Sequence, residues 1–188
     1  DRPNEVLDEV AQAGQIGVLR IRSSARAFCA GADLALMRSI FDSAAGRERM
    51  IVLTRRMQEV FARLEALPQV TLAEIGGAAM GGGFELALAC DLRIVSDTAR
   101  IGLPEARLGL LPAAGGTQRL PARVGLTAAL PLLLTGKKLR AREAYRAGLV
   151  DALEGVAHRL PRDHLRPRHH DDAVGMRGED EGLRDGAH

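Results

Sequence analysis

Three consecutive glycines, Gly81-Gly82-Gly83, separate a strand-like stretch from an apolar helical one. Glycine inside a regular element costs about 0.5–1 kcal/mol relative to alanine, so a triplet belongs where the backbone must turn sharply or approach something closely. Upstream, residues 70–75 read as a buried strand that runs into Gly76-Gly77. Downstream, residues 84–89 are good or tolerable helix formers. The predicted unit is a strand, a glycine turn and a helix start. Such a unit can aim a backbone N–H at a ligand beside the positive end of the helix.

Similar units flank it. Residues 17–22 have strand-like alternation and lead to a turn at Ser23-Ser24. From Met50, the apolar positions Met50, Leu53, Met57, Val60, Leu64 and Leu67 follow helical spacing up to Pro68. Residues 92–95 form another short strand, a helix starts near Thr117 and breaks at Val124-Gly125, and a second runs over 127–134 to Gly136. Pro131 inside that second helix predicts a start or a kink there. Residues 142–147 read as helical up to Gly148, and Leu149-Val150 as a returning strand. Alternation at this interval is that of the α/β class.

With 188 residues and 46% hydrophobic content, the chain has material for one core, assigned to residues 1–152. Residues 153–188 are a polar tail, and from about 155 onward no helical or strand period remains, so disorder is expected. All five histidines, His158, His164, His169, His170 and His188, fall in that tail, so no metal site is expected. The net charge of +2 gives no field for nucleic acid or an anionic membrane, and a lone Tyr145 gives no stacking platform for RNA. Cys29 and Cys90 read as reduced, structural thiols. No apolar run has the length of a membrane span, and the first residues, which lack a Met, carry no secretory pattern. A cytoplasmic location is expected, or the mitochondrial matrix if the source is eukaryotic.

Three segments place glycine and carboxylate where chemistry could use them. The first is Phe28-Cys29-Ala30-Gly31-Ala32-Asp33-Leu34, where a loop N–H at Ala32 can face a ligand. The second is the triplet with Glu85, a carboxylate among Phe84, Leu86, Ala87 and Leu88, where desolvation would suit function. The third sets Glu105 after Pro104, ahead of Gly115-Gly116 and Thr117. A dinucleotide fingerprint is disfavoured because Leu86 stands where its third glycine belongs, and Gly136-Lys137-Lys138 lacks the rest of a P-loop.

Taken together, four blocks resemble the enoyl-CoA hydratase/isomerase (crotonase) family over about residues 14–152. They are Ala27-Phe28-Cys29-Ala30-Gly31-Ala32-Asp33-Leu34, Gly81-Gly82-Gly83-Phe84-Glu85-Leu86-Ala87-Leu88-Ala89-Cys90-Asp91, Pro104-Glu105 with Leu108-Gly109, and Gly115-Gly116-Thr117-Gln118-Arg119-Leu120. The resemblance implies the ClpP/crotonase superhelix of repeated ββα units and an acyl-CoA substrate, with no separate cofactor because coenzyme A is part of that substrate. Ala32 and Gly82 would supply the two N–H groups of an oxyanion hole, and Glu85 and Glu105 the acid and base. Ala30, Gly31, Asp33, Leu34 and Gly81 would contact substrate. The implied reaction is hydration of a 2-enoyl-CoA to 3-hydroxyacyl-CoA. The alternatives are double-bond isomerisation, another acyl-CoA reaction of this scaffold, or an inactive remnant or binding module.

The resemblance also implies a homotrimer or hexamer. This chain lacks the usual C-terminal helices and has a shortened N-terminal sheet segment, so looser association is expected of it. Arg20 in a strand that is usually apolar, Glu74 before Gly76, Ala113 in place of a glycine, and Pro131 are smaller departures from the family pattern.

Overall fold

A computed structural model describes residues 2–33, 37 and 44–154; Leu34 and the predicted disordered tail from residue 155 lie outside the described residues. Strands come in pairs, and the two members of a pair enter different sheets. The pairs are β1 (Val18–Arg22) with β2 (Ala27–Cys29), β3 (Val70–Ile75) with β4 (Ala78–Met80), and β5 (Leu92–Val95) with β6 (Arg100–Gly102). With β7 (Leu139–Arg140) and β8 (Ala152–Leu153), they make one sheet of order β1-β3-β5-β8 and another of order β2-β4-β6-β7. Every pairing is parallel except β6 with β7. Each parallel step requires a crossover. Helices α2 (Ala44–Glu65) and α3 (Gly82–Leu88) supply two of these. A 3-10 helix (Pro104–Leu108), then α4 (Gly116–Val124), α5 (Leu126–Thr135) and α6 (Ala141–Arg146) complete the connections, and α1 (Arg2–Gln12) precedes the first strand.

The predicted strand over 70–75 is observed with the same bounds, and Thr71, Ala73 and Ile75 point into the core. Three expectations are corrected. Helix α2 begins at Ala44 rather than Met50, because residues 44–49 carry no apolar period by which it could be read. Helix α5 begins at Leu126 and continues through Pro131, so of the start or kink expected there the start is excluded, and the missing N–H of the proline removes one bond from the helix. The last strand lies at Ala152–Leu153, not Leu149-Val150. There the Leu149 N–H turns back to the Ala144 carbonyl at 2.9 Å, and pairing with β5 resumes only at Asp151, whose N–H reaches the Arg93 carbonyl at 2.9 Å. Arg20 and Glu74 explain each other: Arg20 stands opposite Leu72 and Glu74 opposite Arg22 in the β1–β3 register, so the two are diagonal neighbours on one face and their side chains meet at 3.4 Å.

Phe84, Ile75, Ile101, Leu120, Leu149 and Val95 fill the centre, and Arg93 lies among them at 1% exposure. Its guanidinium donates to the carbonyls of Leu149 (3.1 Å), Ala87 (3.2 Å), Cys90 (2.6 Å) and Asp91 (2.9 Å), and to Asp151 Oδ2 at 3.0 Å. A buried cation is tolerable only when its donors are filled in this way. Arg93 thereby ties the C-terminal end of α3 to β5 and to the turn before β8. Cys90, beside it, has its thiol pushed up to about 12 by burial. That keeps it a structural residue.

Candidate active site

The turn from β4 into α3 explains the glycine triplet residue by residue. Gly81 adopts φ 55° with ψ -129°, a positive-φ backbone that side chains disfavour, and its carbonyl receives the N–H groups of Phe84 and Glu85 at 2.8 and 2.9 Å. Gly83 lies so close to β2 that an added Cβ would sit 2.2 Å from the Cys29 carbonyl oxygen. Helix α3 therefore starts at Gly82, earlier than the residues 84–89 read from sequence, and Gly82 as its first residue has no acceptor for its N–H within the helix. The loop after β2 arrives alongside: a Cβ at Gly31 would lie 2.8 Å from the Met80 carbonyl and 3.6 Å from the Gly82 nitrogen.

Beside this turn opens a cavity of about 170 Å3. Of the residues singled out from sequence, Ala30, Gly31, Ala32, Gly81, Gly82, Glu85 and Glu105 line it. Asp33 is exposed and does not, and Leu34 is outside the described residues. Three blocks far apart in sequence thus converge on one pocket.

The two carboxylates meet different surroundings. Glu85, in the first turn of α3, is 3% exposed, and its Oε1 accepts the N–H groups of Ala114 and Gly116, both at 2.8 Å. Burial pushes its carboxyl up, while the two N–H groups and the charge of Arg119 pull it back. Glu105, in the 3-10 helix, is half-buried, and among the described residues its Oε2 is buried without a hydrogen-bond partner. Burial raises its carboxyl, and the neighbouring charge of Glu85 raises it further. Two carboxyls pushed up for different reasons in one pocket suit one acid and one base.

Sequence reasoning missed the walls. Met50, Thr54 and Met57 of α2, with Met37, line the cavity, as do Leu108, Leu110 and Leu111. Met50 and Met57 lie on an apolar helical stripe that reads as core, and nothing in a stripe tells a cavity wall from a core contact. The two backbone donors to Glu85 were also missed; the glycines at 115 and 116 were the only signal of a close approach there.

The enoyl-CoA hydratase/isomerase family profile matches residues 3–166 of this chain. The chain is 47% identical over 150 residues to the fatty acid oxidation complex subunit alpha of Shewanella loihica, a stretch that is 78% of this chain and 21% of that protein. Among solved structures, it is similar to an enoyl-CoA hydratase from Bacillus anthracis, with a TM-score of 0.75, 35% identity, and coverage of 81% of this chain and 57% of that one. Pseudomonas aeruginosa DspI is similar at a TM-score of 0.74 and 38% identity, over 80% of this chain and 56% of that one. The chain therefore spans about a fifth of the curated relative and a little over half of these solved ones.

Proposed function

The chain belongs to the enoyl-CoA hydratase/isomerase family and has the crotonase fold, and from that premise we propose that its pocket adds water across the 2,3 double bond of a 2-enoyl-CoA thioester. The observation that carries this reading is the convergence of Glu85 and Glu105, from two separate elements, on one largely apolar cavity. Hydration needs one group to take a proton from water and another to give one to C2. The water oxygen bonds to C3, and the electron pair of the double bond moves towards the thioester as an enolate. The N–H groups of Ala32 and Gly82 would receive that developing oxyanion, and such donors in a site closed to water are worth about 3 kcal/mol each.

Glu85, held by two N–H groups, is suited to be the base that orients and deprotonates water. Glu105, raised by burial and by its neighbour's charge, is suited to hold the proton that ends on C2. Coenzyme A enters as part of the substrate. Isomerisation, the nearest alternative, relies on one carboxylate in the family pattern, so the pair favours hydration.

The test is loss of the enoyl-thioester absorbance with crotonyl-CoA. Glu85→Gln and Glu105→Gln are each expected to lower the rate by about 10²–10⁴-fold. Turnover like wild type in either variant removes that residue from the mechanism, and migration of the double bond without gain of water replaces the reaction itself.

A further inference from the structure

The segment that supplies the two donors to Glu85, residues 113–116, is held from its other side as well. Gln58 Nε2, on α2, donates to the Ala113 carbonyl at 2.6 Å. Arg119 Nη1, on α4, donates to the Ala114 carbonyl at 3.1 Å, and its Nη2 pairs with Glu65 Oε2 of α2 at 2.9 Å. In a trans peptide, the C=O and the N–H point in opposite directions, and there is no cis bond among the described residues. The Ala113 carbonyl and the Ala114 N–H are the two ends of one such plane, so a grip on the first aims the second at Glu85. The grip on the Ala114 carbonyl fixes the next plane, which ends in the Gly115 N–H, and the Gly116 N–H that reaches Glu85 follows one plane further on.

We propose that Gln58 and Arg119 are positioning residues for Glu85, holding the Ala113 and Ala114 carbonyls outward so that the Ala114 and Gly116 N–H groups clamp its Oε1. The second oxygen, Oε2, is thereby left on the side of Gly82, where a Cβ would come within 4.0 Å of it. Helix α2 then does more than wall the pocket: through Gln58, and through Glu65 on Arg119, it sets the electrostatics of the carboxylate opposite. Gln58 itself is exposed, so its removal leaves no cavity in the core.

That Glu85 is the base rests on the hydratase reading above; the test of the clamp does not. The side-chain carboxyl carbons of the glutamates are titrated by 13C NMR in wild type, Gln58→Leu and Gln58→His, the Glu85 resonance being the one that Glu85→Gln removes. The charged groups that face Glu85 are Glu105 from the 3-10 helix and Arg119 from α4, and both are kept in the Gln58 variants. N–H donors favour the charged carboxylate, so loosening them raises its midpoint. The Glu85 midpoint is expected to move upward in Gln58→Leu and to return towards wild type in Gln58→His, which restores a donor, with the thermal midpoint unchanged. Arg119→Met moves it further upward, because a nearby cation is lost as well. An unmoved Glu85 midpoint in folded Gln58→Leu overturns the proposal. With crotonyl-CoA, the same variant is expected to lose roughly tenfold in kcat at unchanged KM, the worth of one hydrogen bond to a charged group. If wild type does not hydrate crotonyl-CoA, the hydratase reading fails while the titration still decides on Gln58.

Discussion

At Gly82 and Gly83, neighbours in one motif, the same substitution meets different surroundings. A Cβ at Gly82 would meet the Met57 methyl at 2.9 Å, the far end of a flexible side chain, whereas at Gly83 it would meet the Cys29 carbonyl at 2.2 Å and the Cys29 Cβ at 2.6 Å. Gly83→Ala is therefore expected to cost about 3 kcal/mol in urea unfolding. Gly82→Ala should keep its stability but lose hydration of crotonyl-CoA. If both variants unfold alike, the assignment of Gly82 to the pocket loses its support. The motif was legible as a close backbone approach, but which glycine lines the pocket and which faces β2 is fixed by tertiary contact. Glu105 yields a second prediction at this scale. Its carboxyl is raised in the folded chain by burial and by Glu85, so folding favours its protonated form. That contribution is complete below the ordinary carboxylate range and is lost as pH rises through the raised value. Glu105→Gln, which is neutral at every pH, should melt higher than wild type at pH 8, and the gap should close on acidification. A lower melting point for the variant at pH 8 would contradict this.

Between elements, charges divide into those that hold the fold and those that decorate it. Asp151, 5% exposed in its side chain, accepts from Arg93 and Arg123 at once, with Arg93 at 3.0 Å. Arg20 and Glu74 pair at 3.4 Å with side chains 55% and 31% exposed. Removing one partner of a buried pair leaves an uncompensated charge, so Asp151→Ala should cost about 3–5 kcal/mol. Arg20→Ala should cost no more than about 1 kcal/mol. Equal losses in chemical denaturation would mean that Arg93 is satisfied by its four carbonyls alone. None of this was readable at Arg93, because its acceptors at Ala87, Cys90, Asp91 and Leu149 come together only when α3, β5 and the last turn are packed. The longer strands β1, β3 and β5 were legible from alternation or apolar runs. Strands β2, β4, β6 and β7, with two or three residues each, are too short to show a period. Helix α1 escaped for another reason. Leu7 is its buried side chain, and it is held to the fold by polar contacts of Arg63 with Asn4 and Asp8, and of Gln69 with the Val10 carbonyl.

At the scale of the molecule, the ββα repeat was implied by the family resemblance, and of the glycine blocks Gly81-Gly82-Gly83 stands at a turn from strand to helix, while Gly76-Gly77 joins two strands and Gly115-Gly116 opens α4 after a loop. What the sequence could not show is which faces the packed repeat leaves uncovered. Helix α5 reads Leu-Thr-Ala-Ala-Leu-Pro-Leu-Leu-Leu-Thr, apolar nearly all round, so periodicity could not say which side is buried. In the structure, Ala129 is buried, while Leu126, Leu130 and Leu134, four residues apart on one stripe, are 61%, 41% and 71% exposed. Leu111, at the pocket, is 72% exposed. A contiguous apolar stripe of this kind drives association in water. The chain is accordingly expected to self-associate with rising concentration in static light scattering. The double variant Leu126→Glu with Leu134→Glu should bring the scattering mass down towards that of one chain without changing the circular dichroism, because neither side chain contributes to the core. If wild type already scatters as one chain at every concentration, the stripe is not sticky enough to matter. If it forms a discrete assembly that the double variant leaves intact, the contact lies on another face, and the exposed residues Ile51, Val52 and Leu53 of α2 become the next surface to change.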